Sequence, residues 1–284
     1  MVPHRGAPVR SPRLFSSCFF LSGSLRTLSL GLALLFPSLL ASGDALAAPT
    51  AGEMVGWLKT VDDRQQNNGD YHSTFFLEQK EAGKSDLVYQ GDVYRRDVSD
   101  KLVILFSKPQ AEAGKGYLRV DDNLFFYDPT VGKWERRTER ERIGGTSSQR
   151  QDFDQSRLAE EFDPAYVASE KLGQYTVDHL KLTAKAGVDV AYPIVELWID
   201  HATNNVLKRQ DFALSNKLMR TTLYPKWDKA MSATKKAEVY FPKEIRIYDE
   251  VQKGNQTTVV MQKVDLTAQE DTIFSKAWLE SKSR

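Results

Sequence analysis

Residues Leu102–Asp163 read LVILFSKPQAEAGKGYLRVDDNLFFYDPTVGKWERRTERERIGGTSSQRQDFDQSRLAEEFD. The runs LVILFSK, GYLRV, NLFFYDP and KWERR are short and rich in β-branched and aromatic residues. The punctuation between them is polar and Gly/Pro-marked, which is the pattern of antiparallel strands joined by tight turns. In KWERR, Trp134 and Arg136 share one face and Glu135 and Arg137 the other. In NLFFYDP both faces are apolar, which predicts a strand covered on both sides. Gly144-Gly145-Thr146-Ser147-Ser148 reads as a loop, and QDFDQSRLAEEF as a helix with Leu158 and Phe162 four apart. Aromatics abound here while the polar residues form no catalytic set, the profile of a segment that holds apolar material.

The same period extends outward. HSTFFLEQK and DLVYQGDVYRRDV precede this stretch. YTVDHLKLTAK, YPIVELWID, NVLKRQDFAL, KLMRTTLYPKW, EVYFPKEIRIYDE and NQTTVVMQKVDL follow it. Asn204-Asn205 marks a hairpin, because Asn tolerates positive φ. A helix over Glu53–Arg64 sets Met54, Leu58 and Val61 on one face with Trp57 beside them, and FSKAWLESKSR closes the chain as a short helix or tail. About eleven or twelve strands with two main helices and no long linker predict a mainly β (α+β) fold. An antiparallel sheet of that size curls or closes.

The first residues read as a targeting segment. Met1–Arg26 carries Arg5, Arg10, Arg13 and Arg26 and no acid; the apolar run Leu28–Leu40 follows, then Ala45-Leu46-Ala47 before Ala48-Pro49. That run has the length of a signal-peptide core and is short for a membrane span, so residues 1–47 are expected to be a signal peptide cut between Ala47 and Ala48. An uncleaved membrane anchor is the alternative. Residues 48–284 would then be a single exported domain of 237 residues, 284 less 47. The sole cysteine, Cys18, lies in the removed segment, so the domain has no disulfide, thiolate zinc ligand or thiol nucleophile. Removing four Arg and one Asp from 39 basic and 38 acidic side chains leaves 35 and 37, a net charge of −2. That balance argues against nucleic acid as a partner.

A search for chemistry yields little. No Ser nucleophile elbow, phosphate loop, dinucleotide fingerprint or HExxH motif occurs. His72, His179 and His201 lie far apart in sequence and read as structural or solvated, so neither metal nor cofactor is expected. Asp62-Asp63, Asp121-Asp122 and Glu160-Glu161 are adjacent pairs whose side chains diverge, which reads as solvated turn and helix-end charge. The alternating run Arg136–Arg142 is either a docking face for acidic groups or a soluble edge strand, with the edge strand preferred. Phe106, Tyr117, Phe125, Phe126, Tyr127, Trp134, Trp198, Phe212, Tyr224 and Trp227 fill a core or line a wide interior. A wide interior would gain about 0.8 kcal/mol per buried methylene of an acyl chain.

Taken in order, Phe106-Ser107-Lys108-Pro109, Gly116-Tyr117-Leu118, Phe125-Phe126-Tyr127-Asp128-Pro129 and Arg136-Arg137, then the loop Gly145–Phe153 and the hairpin YPIVELWID…NVLKRQDF, resemble the outer-membrane lipoprotein-sorting (LolA-like) proteins. The loop phrase departs from the family pattern by extra residues. The resemblance covers nearly all of residues 48–284. It implies an open, incomplete antiparallel β-barrel of about 11 strands, with helices as a lid over an apolar cavity. It also implies a periplasmic, monomeric, non-enzymatic carrier of lipoprotein acyl chains or lipid in a Gram-negative envelope. Its partners would include an inner-membrane exporter and an outer-membrane acceptor. An envelope accessory protein that binds protein through an open sheet edge is the alternative function. On this reading the cavity residues are expected to include Trp57, Leu58, Phe106, Tyr117, Phe126, Tyr127, Trp134 and Trp198. The ligand-contacting arginine of the family would be sought at Arg95 or Arg96, and Glu53–Arg64 is the candidate lid.

Overall fold

The computed structural model describes residues 48–65, 69–120, 123–138, 142–149, 152–153 and 155–283. The expected signal peptide, with Ala47, lies outside the described residues, as do Asp121-Asp122 and Glu139–Glu141 of the charged run; Ala48 is the first described residue. The elements are α1 (Ala51–Gln65), β1 (Asp70–Lys80), β2 (Leu87–Arg96), β3 (Lys101–Lys108), β4 (Gly116–Val120), β5 (Asn123–Asp128), β6 (Lys133–Arg137), α2 (Leu158–Glu161), β7 (Phe162–Leu172), β8 (Tyr175–Ala184), β9 (Ile194–Asp200), β10 (Val206–Phe212), β11 (Leu218–Ser232), β12 (Ala237–Asp249), β13 (Gln256–Asp265) and α3 (Lys276–Lys282).

All strands join one antiparallel sheet in the order β6-β5-β4-β3-β2-β1-β13-β12-β11-β10-β9-β8-β7. Two meanders, β1–β6 and β7–β13, meet at the β1/β13 seam. The outermost strands β6 and β7 do not pair, so the sheet stays open. Thirteen strands among the described residues stand where eleven or twelve were expected. The difference lies mainly in FDPAYVASEKL, which forms edge strand β7. Pro164 suits an edge, where its missing N–H faces no neighbour, and the strand's exposure hides the apolar alternation that marks the others. The helix expected over QDFDQSRLAEEF shrinks to the single turn α2, since Phe162 already pairs with Ala184.

Strand alternation divides the core between two faces. On one, Phe75, Leu77, Val93, Ile104, Phe106, Tyr117 and Leu124 pack with Ile143 and Phe153 of the loop that crosses between meanders. Further along that face, α1 buries Met54, Leu58 and Val61 against Leu180, Leu182, Val195 and Leu197. On the opposite face, Val103 and Leu118 are covered by Ile273, Phe274 and Leu279. Strand β5 is thus covered on both faces: Leu124 and Phe126 belong to the first core, Tyr127 to the second.

Local chemistry fixes the helices. Thr50 and Glu53 form a capping box: the Thr50 N–H donates to Glu53 Oε2 at 2.7 Å and the Glu53 N–H to Thr50 Oγ1 at 3.3 Å. The bonds that Glu53 Oε2 accepts from the Thr50 N–H and the Thr50 hydroxyl hold its carboxyl below its usual range. Asp62, expected to be solvated, is instead buried. Its carboxylate accepts from Ser156 Oγ (2.5 Å), Leu158 N (2.9 Å) and Ala159 N (2.9 Å), so α1 caps α2. Gly91 in β2 has a packing role: a Cβ there would stand 2.4 Å from the Leu105 carbonyl and 2.8 Å from the Phe75 ring.

Candidate functional site

An apolar cavity of about 100 Å³ opens on the α1 face at the β1/β13 seam. Its walls are Tyr71 of β1, Val93 and Arg95 of β2, Phe241, Ile245 and Ile247 of β12, and Val259 and Met261 of β13. Arg64 at the end of α1 and Asp152 and Phe153 of the crossing loop complete it. The alternation that points Ile245, Ile247, Val259 and Met261 to one side is legible in EIRIYDE and TTVVMQKV as a period of two.

The polar groups around the cavity are engaged elsewhere. Arg95 Nε donates to Asp97 Oδ1 at 2.6 Å and its guanidinium lies 5.3 Å from the Tyr71 ring centroid. Arg64 donates to the Thr203 carbonyl and to Asn205 Oδ1, and stacks over Tyr240. Asp152 is gripped by Arg220 through two N–H···O bonds of 2.9 and 2.7 Å. Arg220 also donates to Asp211 Oδ2 at 3.0 Å, and Arg209 Nε to Asp211 Oδ1 at 2.7 Å, giving a neutral cluster of two cations and two anions. Burial pushes the Asp211 carboxyl up, but the Arg209 and Arg220 charges outweigh it and the net displacement is downward. Arg220 is held well above its ordinary value, burial notwithstanding, by Asp152 and Asp211. Tyr71 presents a surface to the cavity but is otherwise enclosed, and desolvation pushes its hydroxyl up to about 12.

The residues singled out from sequence divide between the faces. Arg95 lines the cavity. Phe106, Tyr117 and Phe126 lie on the same face, in a row of three edge-to-face contacts and one tilted contact that starts at the cavity wall. Centroids run Phe153–Phe75 6.5 Å, Phe75–Phe106 6.0 Å, Phe106–Tyr117 6.3 Å and Tyr117–Phe126 5.0 Å. The Tyr117 hydroxyl accepts from Gly144 N–H and the Tyr89 hydroxyl donates to the Gly144 carbonyl, both at 3.2 Å, pinning the glycine loop. Leu58 is fully buried beneath α1 and Trp57 packs beside it, away from the cavity.

Arg96, Tyr127, Trp134 and Trp198 sit on the opposite face. Arg96 makes two bonds to Asp70 (2.7 and 2.8 Å) and one to the Gln269 carbonyl (2.7 Å), fastening the C-terminal segment. Tyr127 and Trp134 stack 4.9 Å apart near α3, where Trp134 Nε1 donates to Glu280. Trp198 stacks on His179 at 4.0 Å beneath Lys208. Sequence reasoning missed Tyr71, Phe153, Phe241 and Met261. No single-sequence signal joins strands so distant in the chain.

Each histidine among the described residues meets a carboxylate: His72 with Asp92 (3.0 Å), His179 with Glu196 (3.1 Å), His201 with Asp178 (3.1 Å). No group of three or more His, Cys, Asp or Glu able to hold a metal occurs among the described residues. No described helix is long and apolar enough to cross a membrane.

Solved structures share this architecture. An outer-membrane lipoprotein-sorting protein domain from Vibrio parahaemolyticus has a TM-score of 0.71 at 17% identity, covering 81% of this chain and 100% of its own. A LolA superfamily protein from Nitrosomonas europaea gives 0.66 at 18%, with the same coverage of both chains. A DUF1329 family protein from Desulfovibrio piger gives 0.71 at 15%, covering 82% and 100%. A search of the curated proteins returns no match. The family model that does match carries the description "Uncharacterized protein" and spans residues 98–281, more than half of the sequence. The chain therefore belongs to the DUF1329-like family of uncharacterized proteins, and its open sheet has the fold of these three solved structures.

Proposed function

We propose that this protein is a non-enzymatic carrier that buries acyl chains of lipid or lipoprotein in the seam cavity and works in the periplasm. The observation that carries this reading is the cavity itself: apolar walls formed by both meanders, with the surrounding polar groups already engaged by other parts of the protein. Such a space rewards a hydrocarbon guest and offers no poised nucleophile or general base. In the role proposed, an inner-membrane exporter would load the protein and an outer-membrane acceptor would empty it.

At about 100 Å³ the cavity is smaller than the roughly 300–1,000 Å³ usual for ligand sites, so admitting an acyl chain requires its walls to part. Lifting α1 as a lid would expose Met54, Leu58 and Val61. At roughly 1.5–3 kcal/mol per large apolar side chain, that costs about 5–9 kcal/mol. A guest must repay this with about six to eleven buried methylenes at about 0.8 kcal/mol each. A single acyl chain suffices in principle, but only after the cost has been met in full.

The test is organic extraction and mass spectrometry of protein purified from envelope fractions, with titration by an environment-sensitive fluorescent fatty acid. Recovery of stoichiometric lipid and saturable fluorescence enhancement are expected. Absence of both overturns the carrier reading.

A further inference from the structure

The sheet forks at its centre. Strands β12 and β13 pair only from Glu244↔Val260 to Tyr248↔Gln256. Beyond that point β12 follows β11 as far as Ser232↔Ala237, while β13 follows β1 to His72↔Asp265 through a bulge. At the bulge Lys263 takes a left-handed conformation (φ 47°), which bends β13 away. No ladder joins 237–243 to 261–265. The fork holds a second space of about 500 Å³, bordered by Asp228, Lys229 and Lys243 on one bank and by Gln262, Lys263 and Val264 on the other.

Two residues, Phe241 and Met261, line both this space and the apolar cavity. They are the partition between inside and outside. Phe241 is only partly buried, and methionine is the most adaptable of apolar side chains, so this partition parts more easily than α1 lifts. The two banks together carry Lys229, Lys243 and Lys263 against Asp228 and the Glu238 beside Lys229, a surplus of one positive charge centred on Lys263. Lys243 lies 2.6 Å from Asp228 and Lys229 3.5 Å from Glu238. Both pairs are solvent-exposed, so a competing anion displaces them readily.

We propose that the fork between β12 and β13 is a lateral entrance for an anionic amphiphile. Its chain passes between Phe241 and Met261 into the cavity, and its acidic head group stays outside among Lys229, Lys243 and Lys263. This deepens the carrier reading and rests on it: the cavity supplies apolar burial, and the fork supplies a route and a preference for negative charge. Lysine stems suit the task, since they lie along apolar surface while the ammonium stays in water.

The experiment compares palmitate with hexadecanol, matched in chain and different in charge, by equilibrium dialysis of radiolabelled probes. Wild-type protein is expected to bind palmitate about tenfold more tightly at about 0.01 M ionic strength, and this preference should fall toward unity near 1 M. The variant Lys229→Glu/Lys243→Glu/Lys263→Glu should lose the preference while keeping wild-type hexadecanol affinity, which also reports its folding. Phe241→Ala should speed association of both probes several-fold. Equal binding of the two probes by wild type, a preference that survives in the triple variant, or an unchanged association rate in Phe241→Ala would each overturn the entrance. If wild type binds neither probe, the carrier reading itself fails.

Discussion

Replacing Arg220 by Met tests whether the charge cluster beside the cavity is held together by mutual neutralisation. In the native cluster Arg209 and Arg220 balance Asp152 and Asp211, with Asp211 fully buried. In Arg220→Met, Arg209 still holds Asp211, but Asp152 loses both guanidinium bonds and one negative charge is left over. Breaking a buried pair in this way costs about 3–5 kcal/mol, because the remaining charge keeps its desolvation penalty without its partner. For a domain of this size each kcal/mol moves Tm by about 2–4 °C, so a fall of roughly 6–20 °C is expected by calorimetry. The sign of the pH dependence follows. Asp211 is depressed in the native fold, so its contribution is present above the unfolded value near 3.9 and lost as pH falls through the folded value. In the variant Asp211 keeps only the Arg209 charge, so its carboxyl is less depressed and less stability is lost on acidification. Wild type and variant should therefore converge toward acid. Adding Asp152→Asn to Arg220→Met removes the surplus charge and should recover part of the loss. The reasoning is refuted if Arg220→Met costs under about 1 kcal/mol in urea melts, or if the double variant is less stable than the single one.

Gly91→Ala should destabilise by about 1–3 kcal/mol, because the added methyl meets the Leu105 carbonyl, which cannot rotate away; Phe75→Leu should not rescue it. Asp62→Ala removes the cap shared by Ser156, Leu158 and Ala159 and should cost about 1–2 kcal/mol, with faster amide exchange at Leu158 and Ala159. Tyr71 and Tyr224, both pushed up to about 12 by burial, should ionise late in ultraviolet titration. Their raised values mean that stability present below pH about 10 is lost as pH rises toward about 12, and Tyr71→Phe should flatten that slope.

Most of the sheet could be read from residue type and punctuation, because β1 and β2 bury alternate residues, β3 and β4 are runs rich in β-branched and apolar residues, and the turns between them carry polar or glycine residues. Strand β7 escaped because its exposed positions include Ala165 and Val167, so the alternation of burial along it is not written in residue type. The 158–162 segment misled because Leu158 and Phe162 have helical spacing, yet each packs in the same core from a different element: Leu158 from a one-turn helix, Phe162 from a strand. The cavity was less legible. Aromatic content pointed to Tyr127, Trp134 and Trp198, yet a strand's period of two cannot say which face is inner without a partner strand, and these three lie on the outer one. The cavity walls come from β1, β2, β12 and β13, whose adjacency depends on the seam between residues near 72 and 265 and leaves no trace in local sequence. Asp62 looked solvated because its neighbour Asp63 is, and only the tertiary position of α2 makes it a cap.

The β1/β13 seam also sets how the chain must be assembled. His72 and Asp265 are partners separated by 193 residues (265 less 72), while every other ladder joins strands consecutive in the sequence. Each meander can form from local hairpins as soon as it is available, but the seam waits for the last strand. Until β13 arrives, β1 presents a bare edge with Phe75 and Leu77 uncovered on one side, in a template able to recruit another chain. A protein whose cavity lies on its last-closing junction acquires that cavity only at the final step, so a truncated or stalled chain would be sticky and would lack the cavity altogether.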